Sequence, residues 1–231
     1  MDNPPAPRLS KQEKRALKFQ KLKEKYKLKP KKRSKKKREP ENQPEPRFKV
    51  GIEIIGGEEL MSEKEMKSLE LQIRHSYGAN RISSNPVHLF ITNTSLLSMY
   101  LPKESVSWKN VTQTSDSVAN HQGPVVVLTA DSENLLEDLD ENTLYVIGGL
   151  VDRNRHKGYT HNLFKDKFPT ARLPISQALK SSAVLNTLHV FNILLSYIEE
   201  KNWATAIAKH IPGRKQFTDS DHPTTQASSE P

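Results

Sequence analysis

The residues best placed to do chemistry are Asp152 and the cations that follow it, Arg153, Arg155 and Lys157, in the run DRNRHK. A carboxylate in such company can act as a general base held in a cationic loop. It can equally pair with a neighbouring cation or cap a turn, as most such aspartates do, and spacing leaves both readings open. Just upstream, Gly148-Gly149 would let a ligand or another backbone come close. The pair fits neither GxGxxG nor GxxxxGK[ST] and sits inside an apolar run instead of opening a helix, which argues against a nucleotide-phosphate loop. None of the eight histidines has metal-ligand spacing beside a Glu, so no metal site is expected. The absence of cysteine excludes disulfides, thiol nucleophiles and thiolate-bound zinc or iron–sulfur centres. No nucleophile-elbow pentapeptide is present, although a dispersed Ser/His/Asp arrangement stays open.

Elements must bring these groups together. Residues 125–129 (VVVLT) and 145–151 (YVIGGLV) are short continuous apolar runs, the pattern of parallel strands covered on both faces. Residues 48–55 and 87–92 add two further strands. The spacing predicts a helix over 62–76, with Ser62 as cap, Glu65 at capping-box distance, and Met66, Leu69 and Ile73 on one face. A crossover helix is expected over 133–139 and a short apolar piece at 171–173, closed by Pro174. A long helix follows over 184–200, with Leu188, Phe191, Leu195 and Ile198 in one stripe. A last helix, 203–210, is stopped by Pro212, while 93–123 is polar and indistinct. Strands alternating with helices predict an α/β domain with a mainly parallel sheet. Ligands of such sheets bind at the carboxyl ends of the strands. Three loops qualify: Thr129 to Glu133, Asp152 to Lys157, and Arg172 to Ile175.

The formal charge of +9 is unevenly placed. Residues 1–40 hold 17 basic and 4 acidic side chains, whereas 41–231 hold 19 basic and 23 acidic ones. The chain therefore reads as a basic arm and hinge (1–47), a folded domain (48–217) and a Ser/Thr/Pro-rich disordered tail (218–231). Between Lys11 and Leu28 a helix can form once its charges are neutralised, and Pro30 ends it. Such an arm is a solubilising or nuclear-import segment, or it grips a phosphate backbone, and it can do both. For the second role the candidates are Lys11, Lys14, Arg15, Lys18, Lys21, Lys25, Lys32, Arg33 and Lys36, with Arg153 and Arg155 in the domain. No apolar run approaches the roughly 18 residues of a membrane span. The polar start with Asp2 and early prolines is unlike a signal peptide, and an arm carrying Glu13 and Glu24 is unlike a mitochondrial presequence. Nucleus or cytoplasm is the expected setting.

Five stretches together resemble a known family: LMSEKEMKSLELQIRHSYGANR (60–81), LTADSENLLEDLD (128–140), LYVIGGLVDRNRHK (144–157), TARLPI (170–175) and VLNTLHVFNILLSYIEEKNWATAIAKHIPGRK (184–215). They are similar to the tRNA guanine-N1 methyltransferases acting at the ninth nucleotide, a branch of the SPOUT superfamily. The resemblance covers roughly 48–217, and a lysine-rich arm ahead of the domain is typical of that family. It implies a SPOUT methyltransferase domain with a deep C-terminal trefoil knot, a monomer, and S-adenosylmethionine bound in the knot loops. By position it implies cofactor contacts from Leu128 and Thr129, from Gly149 with Arg153, Asn154, Arg155, His156 and Lys157, and from Leu173, Leu185 and Thr187. Asp152 stands where the family has an aspartate proposed to accept the guanine N1 proton or to position N1.

The resemblance also implies tRNA as partner. Its alternative is a catalytically silent homologue that binds tRNA as a chaperone or as a subunit of a processing complex. This chain departs from the family pattern in its first strand, where Ile54 replaces an Asp and Gly56-Gly57 replaces Ser-Phe. It departs again at Asn186-Thr187-Leu188-His189, where Thr-x-Asn-Gln is common.

Overall fold

Val50, Ile52 and Ile54 of strand β1 (Lys49–Ile54) are almost wholly buried, because this strand lies in the middle of a six-stranded sheet. The computed structural model describes residues 43–175 and 185–211, which fall in one compact unit, Arg38–Pro231. Residues 1–42 of the arm, with all of its candidate phosphate ligands, the 218–231 tail and Pro212 lie outside the described residues. So does 176–184, which a knotted return would have to include.

The other strands are β2 (His88–Thr92), β3 (Val111–Gln113), β4 (Val125–Leu128), β5 (Leu144–Gly149) and β6 (Thr170–Ala171). Their order is β3-β2-β1-β5-β4-β6 and every pairing is parallel. Side chains alternate with period two between the two faces of the sheet. Ile52, Ile54, Tyr145 and Ile147 join one core, and Leu144, Val146, Val125 and Val127 join the other. Both faces are covered, which is why β4 and β5 read as unbroken apolar runs.

The helices are α1 (Gly57–Leu60), α2 (Glu63–Arg81), α3 (Tyr159–Phe164), α4 (Thr187–Glu200) and α5 (Trp203–His210). Ser62 and Glu65 form the expected capping box on α2, and Met66, Leu69 and Ile73 are fully buried. The helix runs on to Arg81, beyond the expected end at 76. Helix α4 begins at Thr187, not at 184. Asn186 is extended and its side chain accepts from the His189 amide at 2.8 Å, which fixes the start.

Residues 133–139 are not a helix. Leu135 makes a lone parallel bridge to Arg172. The Glu137 carbonyl accepts from Trp203 Nε1 at 2.7 Å, and Asp138 accepts from the Tyr197 hydroxyl at 2.8 Å. The first of these bonds takes a carbonyl that a helix would turn along its own axis, and the second holds the Asp138 side chain against α4. Conversely, 93–123 is organised by three 3₁₀ turns (Thr94–Leu97, Lys103–Ser107, Val118–Asn120) around β3. One anchor for it is Glu53, a buried carboxylate of β1 that accepts from Thr92 Oγ1, from Ser117 Oγ at 2.8 Å and from the Val118 amide at 3.0 Å.

Candidate active-site cleft

Parallel pairing places the carboxyl ends of β4, β5 and β6 on one edge of the sheet, and the start of α4 closes over them. The cleft so formed holds about 1030 Å³ of empty space, its open mouth included. The first loop contributes Leu128, Thr129, Ala130 and Asp131. From the third come Arg172, Leu173 and Ile175, and from α4 with its approach come Leu185, Thr187 and Val190. The β5 end and the loop after it supply Ile147, Gly148, Leu150, Asp152, Asn154 and His156, followed by Gly158, Tyr159 and Thr160.

Local bonds fix these walls. The first and third loops are stitched by Thr129 N to Ala171 O at 2.9 Å and Arg172 N to Asn134 O at 2.8 Å. The Arg172 guanidinium is committed to the Ser132 and Glu133 carbonyls, at 2.6 and 2.5 Å. Thr187 Oγ1 donates to the Gly148 carbonyl at 3.2 Å, tying α4 to β5. The Gly148-Gly149 pair is explained by packing on two sides. A Cβ on Gly149 would stand 2.8 Å from the Glu53 carbonyl oxygen of β1, and one on Gly148 would stand 2.9 Å from Thr160 Oγ1.

Asp152 organises its own loop. Its Oδ1 accepts from the Asn154 amide at 2.9 Å and its Oδ2 from the His156 amide at 2.7 Å. Arg153 and Asn154 both take left-handed backbone conformations, with φ of 53° and 63°. Two amide bonds occupy only half of the roughly four lone-pair positions of a carboxylate. The turn-capping role therefore leaves Asp152 able to accept a further hydrogen bond or a proton at the cleft surface.

Seven of the residues expected to contact a cofactor, Leu128, Thr129, Asn154, His156, Leu173, Leu185 and Thr187, face this cleft together with Asp152. Four do not line it. Gly149 packs against Ile52 and Glu53 of β1 instead. The Arg153 and Lys157 side chains are exposed outside the cleft. Arg155 turns away to the N-terminus of α2, bonding Leu60 O at 3.1 Å and Glu65 Oε2 at 2.9 Å.

Sequence reasoning passed over Tyr159 and Thr160, because the short helix α3 that carries them has no apolar period. Val190 had a usable signal, since it stands one helical step (i+3) beyond Thr187. Among the described residues no group of three or more His, Asp or Glu could hold a metal ion. The apolar walls Ile147, Leu150, Leu173, Ile175 and Val190 suit a flat, weakly polar ring, while Asp131 and Asp152 suit positive charge. An adenosyl sulfonium combines those features, so the residues present fit S-adenosylmethionine.

Comparison with known proteins bears on this cleft directly. The family described as tRNA (guanine(9)-N(1))-methyltransferase TRM10/TRM10A matches residues 5–216. The tRNA (guanine(9)-N1)-methyltransferase of Eremothecium gossypii is 35% identical over 193 residues, covering 78% of this chain and 65% of that protein. The tRNA methyltransferase 10 homolog A of Homo sapiens is 34% identical over 180 residues, covering 74% of this chain and 53% of that protein. The chain thus spans between about half and two thirds of the length of these relatives. Among solved structures, full-length spTrm10 in complex with SAH is 30% identical with a TM-score of 0.64, covering 72% of this chain and 96% of that one. A dual specific Trm10 from Thermococcus kodakaraensis shares the fold at 21% identity, with a TM-score of 0.53 and coverage of 71% and 99%.

Proposed function

Since the chain belongs to the tRNA (guanine(9)-N(1))-methyltransferase TRM10/TRM10A family, we propose that it methylates N1 of guanine 9 in tRNA with S-adenosylmethionine as methyl donor. The observation that carries this reading is the cleft, where Asp152 meets the ends of three parallel strands in a fold whose relative spTrm10 was solved with SAH. When bound, the cofactor supplies an electrophilic methyl group on a sulfonium. The chain's own residues do the rest. Apolar side chains from β5, the third loop and α4 exclude water, and the carboxylates of Asp131 and Asp152 favour positive charge nearby. Guanine N1 carries a proton at neutral pH and must lose it as it attacks. Asp152, with free lone pairs at the cleft surface, accepts that proton or holds N1 by its N–H. The driving force for full transfer to a carboxylate is modest, so orientation is a large part of its role. Exposing a base from the tRNA core costs a few kcal/mol, and phosphate contacts from the basic arm offset it. The protein acts as a monomer in nucleus or cytoplasm, and a single sedimenting species of 26.3 kDa would agree with the first part.

A second reading, a silent tRNA-binding homologue, is favoured by the departures at Ile54, Gly56-Gly57 and Leu188-His189. The two separate cleanly. Incubated with S-adenosylmethionine and unmodified tRNA, the protein should give N1-methylguanine at position 9, read as a reverse-transcription stop. Asp152→Asn should lower turnover by about 10²–10⁴-fold, the range of a lost acid–base group, with SAH affinity retained. SAH binding without any product from the unaltered chain would establish the second reading instead.

A further inference from the structure

Arg155 was expected to touch cofactor or phosphate, yet its guanidinium lies against another element. It donates to the Leu60 carbonyl and to Glu65 Oε2, and the Glu65 side chain is only 7% exposed. The same oxygen accepts from the Ser62 amide and hydroxyl, both at 2.9 Å, so the capping box of α2 and the loop after β5 share one acceptor. On the other flank of Asp152, the Val151 amide donates to Met61 Sδ at 3.3 Å. The Asp152 loop is therefore tethered on both sides to the single segment Leu60 to Glu65. Inside the tethers, Arg153 holds a left-handed conformation that residues other than Gly, Asn and Asp disfavour, and Asn154, a residue that tolerates it, follows in the same region. Such a turn persists only where its surroundings fix it.

We infer that Arg155 is a positioning residue, which latches the Asp152 loop to the N-terminus of α2 and thereby aims the Asp152 carboxylate, and that it contacts neither cofactor nor RNA. The transmission is short. The Arg155 amide donates to the Asp152 carbonyl at 3.2 Å, and the next amide, His156, holds Asp152 Oδ2. Losing the guanidinium leaves the Ser62–Glu65 capping box intact, so the helix survives while the loop is released. The inference rests on the reading of Asp152 as the group that acts at N1, but the latch itself can be tested without turnover.

The experiment compares Arg155→Gln, Arg155→Lys, Glu65→Gln and the double variant Arg155→Gln/Glu65→Gln. Amide hydrogen exchange at Asn154 and His156 reports the loop, kcat and KM report catalysis, and the salt dependence of tRNA affinity reports phosphate contacts. Arg155→Gln should speed exchange at both amides and lower kcat by roughly 10- to 100-fold, as small misplacements of reacting groups do. Glu65→Gln keeps an acceptor oxygen but removes the charge, so it should do the same to a smaller degree. The tRNA KM and the salt slope should stay unchanged. The double variant should be no worse than Arg155→Gln alone, because the guanidinium that Glu65 holds is already gone. Arg155→Lys, which keeps the charge but not the two-acceptor reach, should recover part of the loss. The latch is refuted if Arg155→Gln leaves exchange unchanged, or if it reduces the log–log salt slope by roughly 0.7–0.9 while Glu65→Gln does nothing. A wild-type protein with no product would sink the proposed function alone, since the exchange readout would still decide the latch.

Discussion

Gly148 and Gly149 are neighbours whose missing side chains serve different purposes, and substituting each should separate fold from site. A methyl on Gly149 would meet the Glu53 carbonyl at 2.8 Å and Ile52 Cγ2 at 3.2 Å, in the middle of a paired sheet where backbone cannot yield. Gly149→Ala should therefore lower stability by about 1–3 kcal/mol, seen as a lower midpoint in thermal denaturation. A methyl on Gly148 would meet Thr160 Oγ1 at 2.9 Å and Cγ2 at 3.0 Å, side-chain atoms on the short helix α3 and not sheet backbone, and Thr160 is a wall of the cleft. Gly148→Ala should hold its melting temperature and weaken SAH about tenfold, or ~1.4 kcal/mol in calorimetry. Equal melting losses in the two variants would contradict this division. Asp152 teaches a related lesson. Its place after an apolar run marked it as a candidate from sequence, but nothing in DRNRHK reveals that its two oxygens take the Asn154 and His156 amides. The turn-capping and proton-accepting readings, which looked like rivals, are compatible because the amides leave lone pairs free.

The long helix α4 is the element that closes the cleft, and its first turn carries both a cap and a cleft residue. Asn186→Ala removes the acceptor for the His189 amide and should cost about 1 kcal/mol, lowering the midpoint by roughly 2–4 °C for a chain of this size. Thr187→Ala keeps the cap but releases the Gly148 carbonyl, so its larger effect should fall on SAH affinity. An unchanged affinity would remove Thr187 from the site. How legible each element was follows from where its stabilising bonds lie. Strands β4 and β5 are marked by burial on both faces, and α2 by its own capping box and apolar stripe, all of which are local to the sequence. Residues 133–139 misled because Glu137 and Asp138 are claimed by Trp203 and Tyr197, some 60 residues away. Helix α3 was invisible for the opposite reason. Six residues, YTHNLF, show no period, and the helix is set by the left-handed turn at Gly158 and by Phe164 anchoring in the second core. The cleft was thus readable as three strand ends, whereas the direction of each side chain at those ends was not.

Two charge effects belong to the whole molecule, one in the folded body and one in the arm. Burial lowers the pKa of His88, His121 and His210, with help from Lys49 at the first two and from Lys209 at the third. Groups with depressed folded values contribute stability that is present above the unfolded value, about 6.5 for His, and is lost as pH falls. The melting temperature should therefore be level above pH ~6.5 and decline below it. A second decline should follow in the carboxylate range, where Glu65 is held down at about 2, mainly by the Ser62 amide and hydroxyl, and Asp138 is lowered by the Tyr197 hydroxyl. A melting temperature that stays level down to the carboxylate range would remove the histidine contribution. The arm acts on association instead. Residues 1–40 carry 17 basic and 4 acidic side chains, while the remainder of the chain is slightly acidic. On the proposed function, sequence-independent attraction to a polyanion comes mainly from the arm, and selection of one base from the cleft. Deleting residues 1–40 should weaken tRNA binding and flatten its salt dependence, by roughly 0.7–0.9 in log–log slope for each phosphate that the arm had neutralised, while SAH affinity stays the same. Titrations of the 231-residue chain and of the shortened one at several salt concentrations measure this. If the two slopes coincide, the arm neutralises no phosphates and its charge serves targeting alone.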